Sequence, residues 1–372
     1  MRGFYRGYMV VVFLLLAGFG LFSVVTPERE YSENENRYLQ SFPSLSVKEI
    51  LSGKYQETFE KALDDQFIGR DAWMKSATVV EKFMGYEEIS DVYLGEDGYL
   101  LEKITERDIE QKQYLQNLRS VEYLGVSQPK KVSLVLAPSP GTVLSDKLPQ
   151  DAPYYNAKAM YATADAMLAN TKHINVLEEL QEYALQNQVY YYTDHHWTLF
   201  GAYAAYSRYC EDNEFEKHTY GYFAAKKVTD SFLGTMYSKV LEPGTVEDTI
   251  YAATNIPQCY VECDGTKKSS IYDVEKLTQK NKYDYFFGGN YGQVTIKMKD
   301  KPKKKLLIIK DSFANSLAPF LMEDYDQITM LDLRFYQESV QKLLEKEKFN
   351  HILVLYELSN FAGDKNVYKL AY

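Results

Sequence analysis

Five short, dominantly apolar runs set the strongest limit on what this chain can fold into. They are Val132–Ala137 (VSLVLA), Val189–Thr193 (VYYYT), Leu306–Ile309, Ile328–Leu333 and Ile352–Tyr356. Each is strand-length, and segments of helical periodicity such as Gln337–Phe349 lie between them. A strand apolar at nearly every position is buried on both faces, the mark of a largely parallel sheet flanked by helices, so the fold class is α/β. The segment from about 220 to 300 is richer in strand-like stretches (Thr249–Ala253, Gln258–Glu262, Gln293–Met298) and reads as an insertion or an antiparallel extension. Val92–Gly95 and Tyr99–Leu101, joined by Glu96-Asp97-Gly98, predict a hairpin. No internal repeat is found.

The N-terminus carries a different signal. Arg2 and Arg6 precede Tyr8–Val25, which holds no charge. Eighteen helical residues span roughly 27 Å, close to the hydrocarbon thickness of a bilayer. The arginines before it, with Glu28 and Glu30 beyond, predict a cytoplasmic N-terminus. The alternative is a cleaved signal peptide, but the stretch ending Ser23-Val24-Val25-Thr26-Pro27 lacks a small-x-small site, so an uncleaved anchor is expected. Both readings put everything after Pro27 outside the cytoplasm. The chain thus divides into a cytoplasmic tail (1–7), a transmembrane anchor (8–25), a juxtamembrane connector with a helical segment (26–85), and a main domain (86–372).

With 15% aromatic residues, 34 of them tyrosines, the chain is expected to fold. Its net charge of −10 argues against a nucleic-acid partner, which requires a cationic face. The basic run Lys301-Pro302-Lys303-Lys304-Lys305 directly precedes an apolar strand and reads as a solvated gatekeeper. Cys210, Cys259 and Cys263 make no disulfide framework, and no histidine lies close enough in sequence to either of the last two to suggest zinc. They are expected to be semi-buried thiols with at most one disulfide.

Two of the five histidines are adjacent, in Asp194-His195-His196-Trp197. This quartet follows the run Val189–Thr193, hence the end of an expected strand, where open α/β sheets bind ligands. In an extended segment Asp194 and His196 would share a face, with His195 on the other. An aspartate that fixes a histidine tautomer is the acid–base half of a serine hydrolase triad. The matching nucleophile is Ser312, in Lys310-Asp311-Ser312-Phe313, at a strand-to-helix turn whose N–H would face an oxyanion. Pro319 is expected in the first turn of the helix that follows. Each signal alone has a plainer explanation: Asp-Ser is a common helix cap, and paired histidines occur in packed cores or metal sites. A metal site would need a further ligand at a telling distance, and none is evident.

These residues are where the chain resembles a known family. Asp194-His195-His196-Trp197 is the name-giving motif of the DHHW proteins, relatives of the alginate O-acetyltransferase proteins of exopolysaccharide modification, which carry an SGNH-hydrolase-like domain. The resemblance takes in Ser32-Glu33-Asn34-Glu35-Asn36-Arg37, Asp65-Gln66-Phe67 with Arg70-Asp71, and Phe232-Leu233-Gly234-Thr235-Met236-Tyr237-Ser238-Lys239. It continues through Phe287-Gly288-Gly289-Asn290 to Lys310–Asn315. It implies that residues 86–372 form an SGNH-like catalytic domain in which Asp194 is the acid, His196 the base and Ser312 the nucleophile. Ordinary SGNH hydrolases complete the oxyanion hole with a glycine after the second strand and an asparagine after the third, and Asn360 fits the asparagine role. No glycine follows Ile328–Leu333, where Arg334 stands instead, either stabilising charge, holding an acidic sugar or lying on the surface. Gly289 and Asn290 are further candidates for lining the site, or a simple turn. The activity implied is acyl, most readily acetyl, transfer to hydroxyls of a cell-surface or secreted polysaccharide through an acyl-serine. A membrane-bound O-acyltransferase would be the donor partner, and no cofactor or metal is required. The alternatives are a carbohydrate acetyl esterase and a non-catalytic envelope scaffold or glycan-binding module. Tyrosine-rich stretches such as Tyr190-Tyr191-Tyr192 and Tyr285-Phe286-Phe287 would offer sugar-stacking surfaces or simply pack the core.

Overall fold

A computed structural model describes residues 2–32, 34, 35, 37–301 and 303–371. Glu33 and Asn36 of the juxtamembrane motif and Pro302 of the basic run lie outside the described residues, as do Met1 and Tyr372. The chain forms two compact units, Met1–Ser90 with Tyr237–Gly244, and Asp91–Met236 with Thr245–Tyr372.

The first unit contains α1 (Arg2–Val25), α2 (Lys54–Asp65) and α3 (Arg70–Phe83). Among the described residues α1 is the one helix long and apolar enough to cross a membrane, over Tyr5–Ser23. The unit is clamped by an ion cluster built from the motifs named above. Arg37 grips Asp65 through Nη1 and Nη2 (2.9 and 2.5 Å), Arg70 grips Glu35 through Nε and Nη2 (2.9 and 3.0 Å), and Asn34 donates to Asp71 (2.6 Å). Paired forks of this kind fix geometry as well as charge.

The second unit opens with the expected hairpin, β1 (Val92–Leu94) and β2 (Leu100–Glu102). There follow α4 (Gln111–Ser127), β3 (Val132–Ala137), α5 (Ala157–Met167), β4 (Lys172–Ile174), α6 (Leu177–Ala184) and α7 (Leu199–Asp212). Next come β5 (Lys226–Phe232), β6 (Asp248–Ala252), β7 (Cys259–Cys263), β8 (Thr266–Lys268) and β9 (Gln293–Met298). The chain ends with β10 (Lys305–Lys310), α8 (Ala314–Leu321), β11 (Gln327–Leu331), α9 (Val340–Lys346), β12 (His351–Glu357) and α10 (Leu358–Gly363). Eight strands form one mixed sheet in the order β8-β7-β9-β11-β10-β12-β3-β4. From β11 to β4 the pairing is parallel; β9, β7 and β8 extend the sheet antiparallel, whereas β5 and β6 pair with each other in a separate two-stranded sheet, so only part of the strand-rich middle continues the main sheet. The burial pattern follows the pairing. All but the first residue of β12 is buried, whereas β9 alternates with one wetter face. Helices α7 and α8 pack together, as do α4 and α10.

Two expectations are corrected. Val189–Thr193 is not a sheet strand: its only bridge is Tyr190 with Trp197, and the segment doubles back on itself. Tyr190 and Tyr191 are fully buried, which explains the apolar run, but the N–H groups of Tyr192 and Thr193 are taken by a carboxylate, Asp248, instead of by a neighbouring strand. The helix after Ser312 begins at Ala314, so Pro319 falls in its second turn. Cys259 and Cys263 stand at opposite ends of extended β7, and all three cysteines are free.

Leu353 is fully buried in β12, between two parallel neighbours. Leu353→Ala is expected to lower stability by about 2–5 kcal/mol, measured as a drop in denaturant midpoint at unchanged slope.

Candidate active site

The loop that carries the histidines is shaped by two buried carboxylates. Tyr191 N–H donates to the His196 carbonyl (3.2 Å) and Thr198 N–H to that of Val189 (2.9 Å), closing the loop. Asp248 accepts from the N–H groups of Tyr192 (2.9 Å) and Thr193 (2.8 Å) and from the Thr193 hydroxyl (2.7 Å). The Thr193 hydroxyl oxygen in turn accepts the Gly234 N–H (2.9 Å). Asp194 comes next. Its Oδ1 accepts the His196 N–H (3.0 Å) and lies 2.6 Å from His196 Nδ1; its Oδ2 accepts the Thr235 N–H (2.8 Å) and hydroxyl (2.7 Å). Gly234 is obligatory here, because a Cβ on it would lie 2.3 Å from the Asp194 Cβ.

His196 Nε2 lies 2.7 Å from Ser312 Oγ. Asp194, His196 and Ser312 therefore form one hydrogen-bonded row. Asp194 and His196 meet through a turn in which the aspartate caps the N–H two residues on, and not along an extended strand. His195 does not point away: its ring centroid is 4.0 Å from that of His196. Burial, and next the charge of His195, push the His196 imidazole down to about 4, against the pull of Asp194. Burial pushes Asp194 upward, but the two histidines, the His196 hydrogen bond and the Thr235 N–H hold it well below the usual carboxylate range. The arrangement keeps Asp194 charged and His196 neutral, so Nε2 can accept a proton.

Ser312 stands on the turn between β10 and α8. Asp311 shapes that turn: Oδ1 accepts the Phe313 N–H (2.9 Å), and Oδ2 accepts the Glu357 N–H (2.8 Å) at the end of β12. The Ser312 N–H makes no hydrogen bond among the described residues. Two side chains without an assigned role in the sequence hold this turn against the histidine loop. Trp197, fully buried, donates through Nε1 to the Phe313 carbonyl (3.1 Å) and the Ser316 hydroxyl (3.0 Å). The Tyr283 ring stacks on His196, centroids 3.9 Å apart and 14° from parallel, and its hydroxyl donates to the Ser312 carbonyl (3.3 Å). The fourth letter of the motif thus locks the Ser312 turn to the His196 loop. Tyr283, like Asp248, lies far away in sequence and gave no local signal. Gly234 and Thr235 were visible only as part of a motif.

The remaining candidates make no hydrogen bond to Ser312 or to His196 among the described residues. Asn360 donates to Asp311 Oδ2 (3.2 Å). Arg334 is held by Asp332 through Nε (2.9 Å) and Nη2 (2.6 Å). Both line a cavity of about 400 Å³ with Asp311 and Tyr356. Asn290 accepts from Lys310 Nζ (3.1 Å), which also donates to Asn315 (2.9 Å). Lys310 is fully buried, and burial pushes it down to about 8, with Asp332 opposing. Gly289 has φ +120° in the turn before Asn290, a conformation that suits glycine. Asp194, His195 and His196 offer ligand atoms within 4.8 Å of one another. Both nitrogens of His196 already face hydrogen-bond partners, so a cation would have to displace one of them.

An α/β domain with an acid–histidine–hydroxyl row on a strand-to-helix turn defines the class. Residues 153–331 match the family model of the DHHW proteins. Among solved structures it is similar to a DHHW family protein from Eubacterium siraeum, with 19% identity and TM-score 0.62, covering 76% of this chain and 95% of that one. It is likewise similar to PatB1 of Bacillus cereus, solved with a sulfonyl adduct, with 21% identity, TM-score 0.63 and coverage of 76% and 98%. The O-acetyltransferase domain of Pseudomonas putida AlgJ is more distant, at 12% identity and TM-score 0.46 over 73% and 92% of the two chains. At these identities the likenesses speak for the fold. No curated protein matches the sequence.

Trp197→Phe removes the donor shared by the Phe313 carbonyl and the Ser316 hydroxyl and leaves a cavity where the second ring packed. It is expected to cost about 1–3 kcal/mol, measured by thermal or denaturant unfolding.

Proposed function

We propose that the second unit is an SGNH-hydrolase-like serine acyltransferase that moves acetyl groups onto polysaccharide hydroxyls outside the cytoplasm. The observation that carries this reading is the row in which Ser312 Oγ lies 2.7 Å from His196 Nε2 and His196 Nδ1 lies 2.6 Å from Asp194. Neutral His196 takes the Ser312 proton as the oxygen attacks the carbonyl of an acyl ester or thioester. The oxyanion is met by the unengaged Ser312 N–H, with Asn360 as the second donor in the family's pattern. The leaving group departs with the proton from His196, and an acetyl-serine remains. A sugar hydroxyl then gives its proton to His196, attacks the acetyl carbonyl and releases Ser312, which recovers its proton. Asp194 keeps the tautomer in place throughout.

The N-terminal helix supports an extracytoplasmic site. Arg2 and Arg6 favour a cytoplasmic N-terminus, and tethering raises the local concentration of the domain beside a membrane-bound O-acyltransferase donor. The resemblance to the alginate O-acetyltransferase proteins supports the transferase over the esterase. PatB1, similar in fold, has been solved with a sulfonyl adduct, which makes a sulfonyl fluoride a natural probe of Ser312.

Incubation of the detergent-solubilised protein with an activated acetyl ester is expected to place acetyl on Ser312, detected by peptide mass spectrometry, with faster decay when an acceptor glycan is added. Ser312→Ala and His196→Ala should each lower turnover by about 10⁶-fold. Decay at the same rate in plain buffer would make the protein an esterase, and no adduct in folded protein would leave the scaffold reading.

The pH profile offers an independent check. Activity needs neutral His196, and burial lowers its pKa to about 4 from an ordinary 6.5. The rate is therefore expected to hold as pH falls through 6.5 and to drop only as pH approaches about 4. An acid limb of kcat/KM centred near 6.5 would contradict this environment for His196.

A further inference from the structure

Helix α3 presents its apolar face outward. At 100° per residue, Ala72, Trp73, Ser76, Ala77, Val79, Val80 and Phe83 fall on one arc. Trp73, Val79, Val80 and Phe83 are 54%, 52%, 55% and 92% exposed. The single polar member, Ser76, donates to its own helix at the Ala72 carbonyl (2.7 Å). The charged residues lie off this arc, and most are used within the unit: Arg70 pairs with Glu35, Asp71 accepts from Asn34, and Lys82 pairs with Glu242. A helix packed on a water-soluble core has the opposite arrangement.

We infer that α3 is an interfacial helix whose arc from Trp73 to Phe83 lies in the outer leaflet of the membrane that α1 crosses. The occupant follows from continuity with α1. The Trp73 ring meets Phe19 of α1 edge-on, centroids 6.1 Å apart, and the Phe67 ring lies 6.2 Å from that of Phe19. The Ile68 N–H donates to Ser23 Oγ (3.1 Å), the last residue of the apolar span Tyr5–Ser23. Helix α3 therefore begins at the depth where that span runs out, and Trp73 stands where membrane proteins place their aromatic belt. An exposed apolar arc starting there is covered by lipid headgroups and upper acyl chains. This rests on the reading of α1 as a membrane anchor.

The chain has two tryptophans, and Trp197 is fully buried, so Trp73 dominates any lipid-dependent quenching. The full chain is reconstituted in phosphatidylcholine vesicles with or without lipids brominated high on the acyl chain. Trp73→Phe sets the Trp197 background, and Trp73→Phe with Phe83→Trp moves the reporter about 15 Å along the helix. The expected result is at least about twofold quenching at both positions, with little access to aqueous iodide. Quenching at 73 with an iodide-accessible, unquenched reporter at 83 would mean that α3 leaves the membrane, and would overturn the inference while leaving the anchor intact. Release of the protein by alkaline carbonate would overturn both.

Discussion

A single buried carboxylate, Asp194, organises the site. Removing a charged carboxylate from water is costly unless each oxygen finds donors. Here four donors converge: the N–H and Nδ1 of His196, and the N–H and hydroxyl of Thr235. Satisfying the charge brings a loop near residue 196 and a segment near residue 234 to fixed positions, and only a glycine at 234 lets the second come close enough. Asp248 repeats the device one step earlier, binding Tyr192 and Thr193. Asp194 and His196 are thus held by polar groups of loops and not by the sheet, whereas Ser312 is held by the sheet through Asp311 and the end of β12. Trp197 and Tyr283 join the two halves.

This division explains what could be read from the sequence. The central strands were legible because burial on both faces leaves an apolar run, and Leu306–Ile309 and Ile352–Tyr356 are found within β10 and β12. Ser312 could be placed from the same signal, since it follows directly on such a strand. The run Val189–Thr193 misled because buried tyrosines in a loop look like a buried strand; what separates them is the destination of two N–H groups, settled by Asp248 some 55 positions away. Strand β4 (Lys172–Ile174) went unseen because it is three residues long and includes a lysine and a histidine. The partnership of Asp194, His196 and Ser312 was proposed from residue type and order, but the ring of Tyr283 on His196 had no trace in local pattern. Likewise the motif named Trp197 without saying what its N–H holds.

After β11 the chain has an ion cluster. Lys310, one residue before Asp311, is buried with its ammonium on Asn290 and Asn315 and 3.9 Å from Asp332, which also grips Arg334. A buried ammonium demands oxygen partners, so Asn290 and Asn315 are tied to the C-terminal end of the strand that presents Ser312. The sequence singled out Asn290 and Arg334 as candidates to line the site; the structure gives both a role in holding that strand's surroundings.

The order of strands has a consequence for how the molecule is made. β12, the last strand in sequence, lies in the middle of the sheet, between β10 on the nucleophile's side and β3. Until that strand arrives, the two sides of the sheet have no common edge to share. A chain that has not yet added β12 can possess Asp194, His196 and Ser312 and still lack the Glu357 N–H that Asp311 accepts beside Ser312. Assembly of the central sheet therefore waits on the last strand: a chain ending before residue 351 is left with two groups of strands and nothing between β10 and β3 to join them.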